Sequence, residues 1–392
     1  MITDAFLLLL VLLGHGFLWI GLVNRLHAVN IPRPLIKRIT LVFFVLAAAI
    51  PVALLAWFFQ GRPLIGGGLQ DGSGDGGWRQ RLITGYAIAC GLIGAITLVR
   101  LAVMRWLQRT PSVVRYDGRR MTQLEVEPSG GDRDESNHHR VTRWPFNEIL
   151  RLQITERALE LPRLPSALDG LSIVQLSDLH FTGRIGKTYF REVVRVSNEL
   201  EPDLIAITGD VLDSPDCFDW LGDTLGQLRA RHGVYFILGN HDLRVDSSRL
   251  RQTLAQMGLV DLGGQWRRIE INGQHVSLCG NERPWFKHAG DRKRTPGKDG
   301  LCIALAHSPD QLGWARRREI DLMLSGHTHG GQIHLPALGA LFSPSARGVR
   351  YLAGVYDVPP TVLHISRGIS SDIPVRWRCP PEVVRLELRS RQ

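Results

Sequence analysis

Leu171-Ser172-Ile173-Val174-Gln175-Leu176-Ser177-Asp178-Leu179-His180 is a short apolar run that stops at a carboxylate and an imidazole. Its length and β-branched content read as a buried strand. Four more segments repeat the design. Leu204 to Thr208 stops at Gly209-Asp210-Val211-Leu212-Asp213, and Val234 to Leu238 stops at Gly239-Asn240-His241-Asp242. Cys302 to Ala306 stops at His307, and Leu322 to Ser325 stops at Gly326-His327-Thr328-His329. Segments near 188–200 and 218–230 read as helices, so strands and helices alternate. That pattern predicts an α/β sheet whose ligands gather beyond the carboxyl ends of the strands.

The spacing inside the motifs carries chemistry. In Asp178-Leu179-His180 and His327-Thr328-His329, side chains two apart can point the same way on extended backbone. Gly209, Gly239 and Gly326 allow sharp turns and close approach. The donor set is carboxylates, imidazoles and one amide oxygen, with no thiolate, which suits Mn²⁺, Fe or Zn²⁺. Seven such groups exceed one tetrahedral ion but suit two divalent metal ions, the clamp used for in-line displacement at phosphorus. Taken singly, a buried His is a packing residue and an Asp after a strand is a turn former. Together, in this order, they are a site.

The ordered set D-x-H, G-D-x-x-D, G-N-H-D, H and G-H-T-H resembles the calcineurin-like metallophosphoesterases. The gaps are 32, 30, 67 and 20 residues between positions 178, 210, 240, 307 and 327. Gly326-His327-Thr328-His329-Gly330-Gly331-Gln332 looks like a membrane-anchored branch of that family, and the likeness covers roughly 150–390. It implies an α/β fold of two packed mixed β-sheets flanked by helices. By motif, Asp178, His180 and His329 would hold one metal, and Asn240, His307 and His327 the other. Asp210 would bridge them. His241 would face the phosphate and protonate the leaving oxygen or stabilise charge. Asp213 and Asp242 would orient the ligands, not bind metal. Arg184 and Lys187 are candidate contacts for the substrate phosphate, although exposed-face charges are the better reading. In Arg376-Trp377-Arg378-Cys379-Pro380-Pro381-Glu382 the chain is similar to the branch's closing segment, but Pro380 stands where an Arg often precedes Pro-Glu.

Working back toward the N-terminus, three runs without a charge appear: Ala5 to Val23, Ile39 to Phe59 (with Pro51 inside) and Leu82 to Val99. Each is long enough to cross a bilayer, so three transmembrane α-helices are expected to precede the sheets. The start, Met1-Ile2-Thr3-Asp4, has no basic region, so a cleaved signal peptide is not expected. His15 reads as a helix-packing residue. Arg25, Arg33, Lys37 and Arg38 fill the first loop, and Arg100, Arg105, Arg109, Arg115, Arg119 and Arg120 follow the third run. By the positive-inside rule both face the cytoplasm. The expected localisation is the inner membrane, multi-pass, with the catalytic domain cytoplasmic.

Residues 1–109 are thus read as the anchor, 110–150 as a linker, and 151–392 as the metallophosphoesterase domain. The linker holds an expected Asp117-Gly118 hairpin turn and a mobile polar stretch, Pro128 to Arg140. Gly66 to Gly77 reads as a flexible tether. Net charge is +10, of which residues 1–109 hold +7 around apolar segments. That favours a membrane over a nucleic-acid partner. Five Cys, with no C-x-x-C pair, argue against a disulfide framework.

The implied activity is hydrolysis of a phosphodiester or pyrophosphate by metal-activated water. An anchor favours a lipid-linked phosphorylated substrate. Relatives of similar layout point to UDP-2,3-diacylglucosamine, a lipid A intermediate, with the apolar stretch 335–342 holding acyl chains. A general phosphodiesterase or phosphatase is the alternative, and a non-catalytic membrane scaffold is the rival class. Lys287-His288 and Arg292-Lys293-Arg294 read as a basic loop on anionic lipid or in solvent. Neither His334 nor the oligomeric state is assigned from sequence.

Overall fold

The computed structural model describes residues 2–65, 77–106, 110–124, 142, 144–290, 300–336 and 338–391. The expected tether (except Gly77), the polar stretch 128–140 and Arg292-Lys293-Arg294 lie outside the described residues. The chain divides into two compact units, Met1–Arg109 and Thr110–Gln392.

The first unit holds α1 (Ile2–His27), α2 (Arg33–Phe59) and α3 (Gly77–Trp106). All three are long and apolar enough to cross a membrane. α1 and α3 meet through small residues. A Cβ on Gly14 would lie 1.7 Å from the Cys90 carbonyl oxygen, and one on Gly94 2.6 Å from that of Leu10. Close backbone approach of this kind is how apolar helices associate where burial from water offers no drive. His15 joins all three helices, with Nδ1 2.6 Å from the Tyr86 hydroxyl and Nε2 3.0 Å from the Ala47 carbonyl.

The second unit begins with β1 (Val114–Gln123), β2 (Arg151–Leu161) and β3 (Ser172–Leu176). α4 (Lys187–Glu199), β4 (Leu204–Thr208), β5 (Val234–Ile237) and β6 (Val260–Asp261) follow. Then come β7 (Trp266–Ile271), β8 (Gln274–Gly280), β9 (Leu301–Leu305) and β10 (Leu322–Ser325). The last strands are β11 (His334–Leu335), β12 (Gly339–Ala340), β13 (Gly354–Val358), β14 (Thr361–Ile365) and β15 (Glu382–Ser390). One sheet has the order β1-β2-β15-β3-β4-β5-β6 and the other β13-β14-β10-β9-β8-β7. β11 and β12 form a separate ribbon. Both large sheets mix parallel and antiparallel pairs, with β3, β4, β5 parallel in one and β9, β10, β14 parallel in the other.

The sheets pack face to face. Ile173, Leu204 and Ile237 share one core with Ile303, Leu305 and Leu324. Alternate residues point outward, where Val174, Ile205 and Ile207 meet Tyr189, Phe190 and Val193 of α4. Each such side chain, fully buried, contributes about 1.5–3 kcal/mol. Strands buried on both faces read as unbroken apolar runs, and this is the pattern of the five motifs.

Two expectations are corrected. Asp117-Gly118 makes no hairpin turn: residues 114–123 form one strand paired along its length with β2. The ladder offered by β2 outweighs a local two-residue turn, and Asp117 is held by Arg157 at 2.9 Å and Arg119 at 2.6 Å. Part of the expected linker is therefore sheet. The expected helix at 218–230 is also missing. 3-10 turns at Pro215–Trp220 and Leu225–Gln227 replace it, because Gly222 and Gly226 weaken an α-helix there.

Candidate metal centre

β3, β4, β5, β9 and β10 all deliver their polar termini to one place. Asp178, His180 and His329 form one group whose ligand atoms lie within 4.8 Å of each other, and Asp210, His307 and His327 form a second. Asp210 lies between the two. Its Oδ2 is 3.6 Å from His180 Nε2 of the first group and 3.2 Å from His307 Nε2 of the second. Asn240 Oδ1 stands 3.2 Å from His307 Nε2.

The backbone is bent to achieve this. Asp178, His180, Asp210, His327 and His329 all have φ between 47° and 69°. Left-handed backbone is unfavourable for residues with a Cβ, and such residues cluster at functional sites. Here loop-to-loop hydrogen bonds hold them: Asp178 N–H donates to Gly209 O and His180 N–H to Asp210 O, each at 3.0 Å. Close approach needs glycine at two points. A Cβ on Gly239 would lie 2.3 Å from Asp210 Oδ1, and one on Gly326 2.4 Å from Asp178 Oδ2.

The imidazoles of His180, His307 and His329 are held at the outer nitrogen. Nδ1 of His180 meets Asp213 Oδ2 at 2.7 Å, Nδ1 of His307 meets the Thr208 carbonyl at 2.7 Å, and Nδ1 of His329 meets the Ser370 carbonyl at 3.2 Å. Such outer partners fix the ring and leave Nε2 for an ion. His180 Nε2, His327 Nε2 and Asp210 Oδ2 are buried without a hydrogen-bond partner. Buried orphaned donors and acceptors need an explanation, and a divalent cation at each group supplies one. The residues therefore fit the metals that the motifs imply.

The electrostatics agree. Burial, helped by the charge of His307 and of His180 respectively, holds His327 and His329 well below the ordinary imidazole value, so both are neutral. Burial pulls hardest on His180 and His307, but Asp213 with Asp210 and Asp178 together outweigh it at His180, and Asp210 with Asp178 and the Thr208 carbonyl at His307. They sit at about 8 and about 9. Burial opposes the charge on Asp213, yet His180 and His241 keep its carboxyl well below the usual range.

Asp242 plays a different part. It accepts from the backbone N–H groups of Gly239, Asp210, Val211 and Leu212 at 2.7–3.1 Å, fastening two loops together. Burial and the neighbouring Asp210 push it up to about 7. His241 Nδ1 is 2.6 Å from Asp213 Oδ1, and its ring meets that of His180 edge-on at 4.5 Å. Arg184 and Lys187 stay outside this cluster. Arg184 is bound to Asp372, and Lys187 to Asp223 at 2.7 Å.

Three contributors escape sequence reasoning. Arg376 is fully buried and donates to the carbonyls of His329 at 3.0 Å, Arg367 at 2.7 Å and Ser370 at 2.5 Å. Arg244 bridges Asp213 at 2.6 Å and Asp372 at 2.8 Å. The Trp285 ring lies 4.8 Å from that of His327 and 5.6 Å from that of His307. Arg376 opens the closing segment noted in the sequence, with no role assigned to it there; no local pattern marks Arg244 or Trp285.

Residues 171–331 match the family described as calcineurin-like phosphoesterase. The uncharacterized metallophosphoesterase YkuE of Bacillus subtilis is 31% identical over 252 residues, covering 61% of this chain and 86% of YkuE. The chain belongs to the calcineurin-like metallophosphoesterases. Phosphodiesterase YaeI of Escherichia coli is 32% identical over 223 residues, covering 55% of this chain and 81% of YaeI. A bovine transmembrane protein with metallophosphoesterase domain is 32% identical over 259 residues, covering 60% of this chain and 57% of that protein. This metallophosphoesterase is a metal-dependent phosphoester hydrolase, and its three apolar helices make it a membrane protein.

Proposed function

We propose that the site holds two divalent cations and hydrolyses a phosphodiester or pyrophosphate carried by a membrane lipid. The position of Asp210 Oδ2 between the two donor groups carries the two-metal reading. Asp178, His180 and His329 are assigned to one cation, Asn240, His307 and His327 to the other, and Asp210 to both. Bound there, the pair supplies Lewis-acid polarisation of the phosphoryl oxygens and activates the attacking water.

The side chains supply the rest. His241 is the proton donor: as the P–O bond to the leaving group breaks, its Nε2 gives a proton to the departing oxygen. Asp213 holds Nδ1 of that ring and offsets its positive charge. Because Asp213 also holds His180, the acid and a metal ligand are positioned by one carboxylate. His307 is fixed by a backbone carbonyl instead, so it stays in place when Asp213 is altered.

Diester hydrolysis is favoured by the name of YaeI, a phosphodiesterase. A lipid-linked substrate is favoured by the anchor and by the ribbon β11–β12, where Leu335 and Leu338 directly follow the His329 motif. UDP-2,3-diacylglucosamine, with Mn²⁺, is the leading named combination. Purified full-length chain should release UMP from it, detected by mass spectrometry. No UMP alongside clear turnover of an aryl diester would reject the lipid and keep the phosphodiesterase. Asp210→Ala should lose metal and activity together; undiminished hydrolysis by that variant would sink the two-metal reading. The orientation proposed is N-terminus outside and catalytic domain in the cytoplasm of a cell with an inner membrane, tested by reporter fusions after residue 110.

A further inference from the structure

Eight large apolar side chains of the second unit are exposed among the described residues. Tyr116 and Met121 lie on β1 at the edge of its sheet. The other six are Trp144, Phe146, Leu243, Ile333, Phe342 and Ile373, on segments tied by contact or by chain adjacency to the neighbourhood of His241 and His329.

The site's opening is located by what remains exposed there. The side chains of His241 and His329 keep 17% and 14% of their accessible surface, whereas those of Asp178, His180, Asp210 and His307 keep 0–1%. Leu243 follows His241 by two residues, and Ile333 follows His329 by four. Ile373 follows Asp372, the partner of Arg244. Ile333 pairs with Trp377 in a β-bridge. Trp144 and Phe146 line a cavity of about 120 Å³ with Val375 and Trp377. The Phe342 carbonyl lies 3.1 Å from where a Cβ on Gly331 would stand. Four separate stretches of chain thus bring apolar side chains to the rim on the side where the site meets solvent.

We infer that this collar seats on the surface of a lipid bilayer, so that the catalytic mouth faces the membrane plane. Clustered exposed apolar side chains mark interaction sites. The occupant is a bilayer because the same chain carries three helices apolar enough to cross one, which keeps that surface within reach of every copy. The collar's composition agrees: Trp and Phe favour the headgroup level, and Leu and Ile the acyl boundary. Among the described residues the collar is built from short turns: Leu243 lies in the 3-10 turn Asn240–Arg244, and Ile333 and Phe342 flank the ribbon β11–β12. The inference rests on membrane attachment alone and is independent of the substrate's identity.

The test uses the full chain in phosphatidylcholine–phosphatidylglycerol nanodiscs containing lipids with a nitroxide high on the acyl chain. A fluorophore is attached at Phe146→Cys, Ile373→Cys or, as the edge-strand control, Tyr116→Cys. The five native cysteines are buried, and the unsubstituted chain sets the labelling background. Emission from 146 and 373 should be quenched roughly twofold or more beyond that from 116, as for groups at the lipid boundary. Equal quenching at all three positions, or none, overturns the inference. Trp144→Cys and Leu243→Cys repeat the measurement if either first variant fails to fold. Retained quenching without lipid hydrolysis would reject the substrate reading and leave this one standing.

Discussion

Asp213 and His241 are joined at 2.6 Å through Oδ1 and Nδ1, while the other oxygen of the same carboxylate holds His180. Asp213→Asn removes the charge and offers an amide N–H that can force either ring into the wrong tautomer. We expect kcat to fall about 10–100-fold, the loss typical when an outer partner is removed, with KM changed far less. Steady-state kinetics on an aryl diester decides it. A wild-type kcat would remove Asp213 from the mechanism.

Arg376 has no solvent exposure, and its two terminal nitrogens donate to three carbonyls in place of a carboxylate. One of them, on Ser370, also receives His329 Nδ1. Arg376→Gln should therefore lower the melting temperature and loosen the ion assigned above to Asp178, His180 and His329. The expected cost in metal affinity is about 10–100-fold. Titration with Zn²⁺ followed by thermal unfolding measures both. Unchanged metal binding would confine Arg376 to packing.

Gly239 at the site and the exposed Gly258 are under opposite constraints. Gly239→Ala drives a methyl into Asp210 Oδ1 and His307 Nε2. Gly258 has φ +88° and nothing near its missing side chain, so Gly258→Ala should cost only about 1 kcal/mol of backbone strain. Bound metal per chain, measured by mass spectrometry, should collapse in the first variant and persist in the second. Equal metal content in both would show that close approach at Gly239 is not required.

Metal uptake should release protons at pH 7. His180 and His307 sit at about 8 and about 9 without metal, so both are largely protonated there and must become neutral to bind an ion. Their bound protons oppose the metal more strongly as pH falls, so apparent affinity should drop from pH 8 to pH 6. Calorimetry in buffers of different ionisation enthalpy should report about two protons released. A buffer-independent heat would contradict the charge states assigned to these rings.

Much of the site was legible because its chemistry is local. Each of five strands ends in its own donors, so Asp178, His180, Asp210, Asn240, His307, His327 and His329 stand out one motif at a time. Their convergence is a property of parallel strands that share a carboxyl end. The rest depends on distance along the chain. β1 pairs with β2 across residues 124–150, and Arg376 reaches His329 from 47 residues away. Asp117-Gly118 carries a turn signal that only the length of the β2 ladder overrides. Periodicity describes a segment by itself and is silent about which edge it meets.

β15 lies between β2 and β3, parallel to the first and antiparallel to the second. A ribosome making this protein finishes β2 and β3 long before residues 382–390 leave its tunnel. The apolar anchor has by then been available for insertion, while two strand edges stay open and the loop carrying Ser370 and Arg376 is not yet fixed. The loops that Ser370 and Arg376 fasten to the donor cluster are therefore completed only after the whole apolar segment has been synthesised.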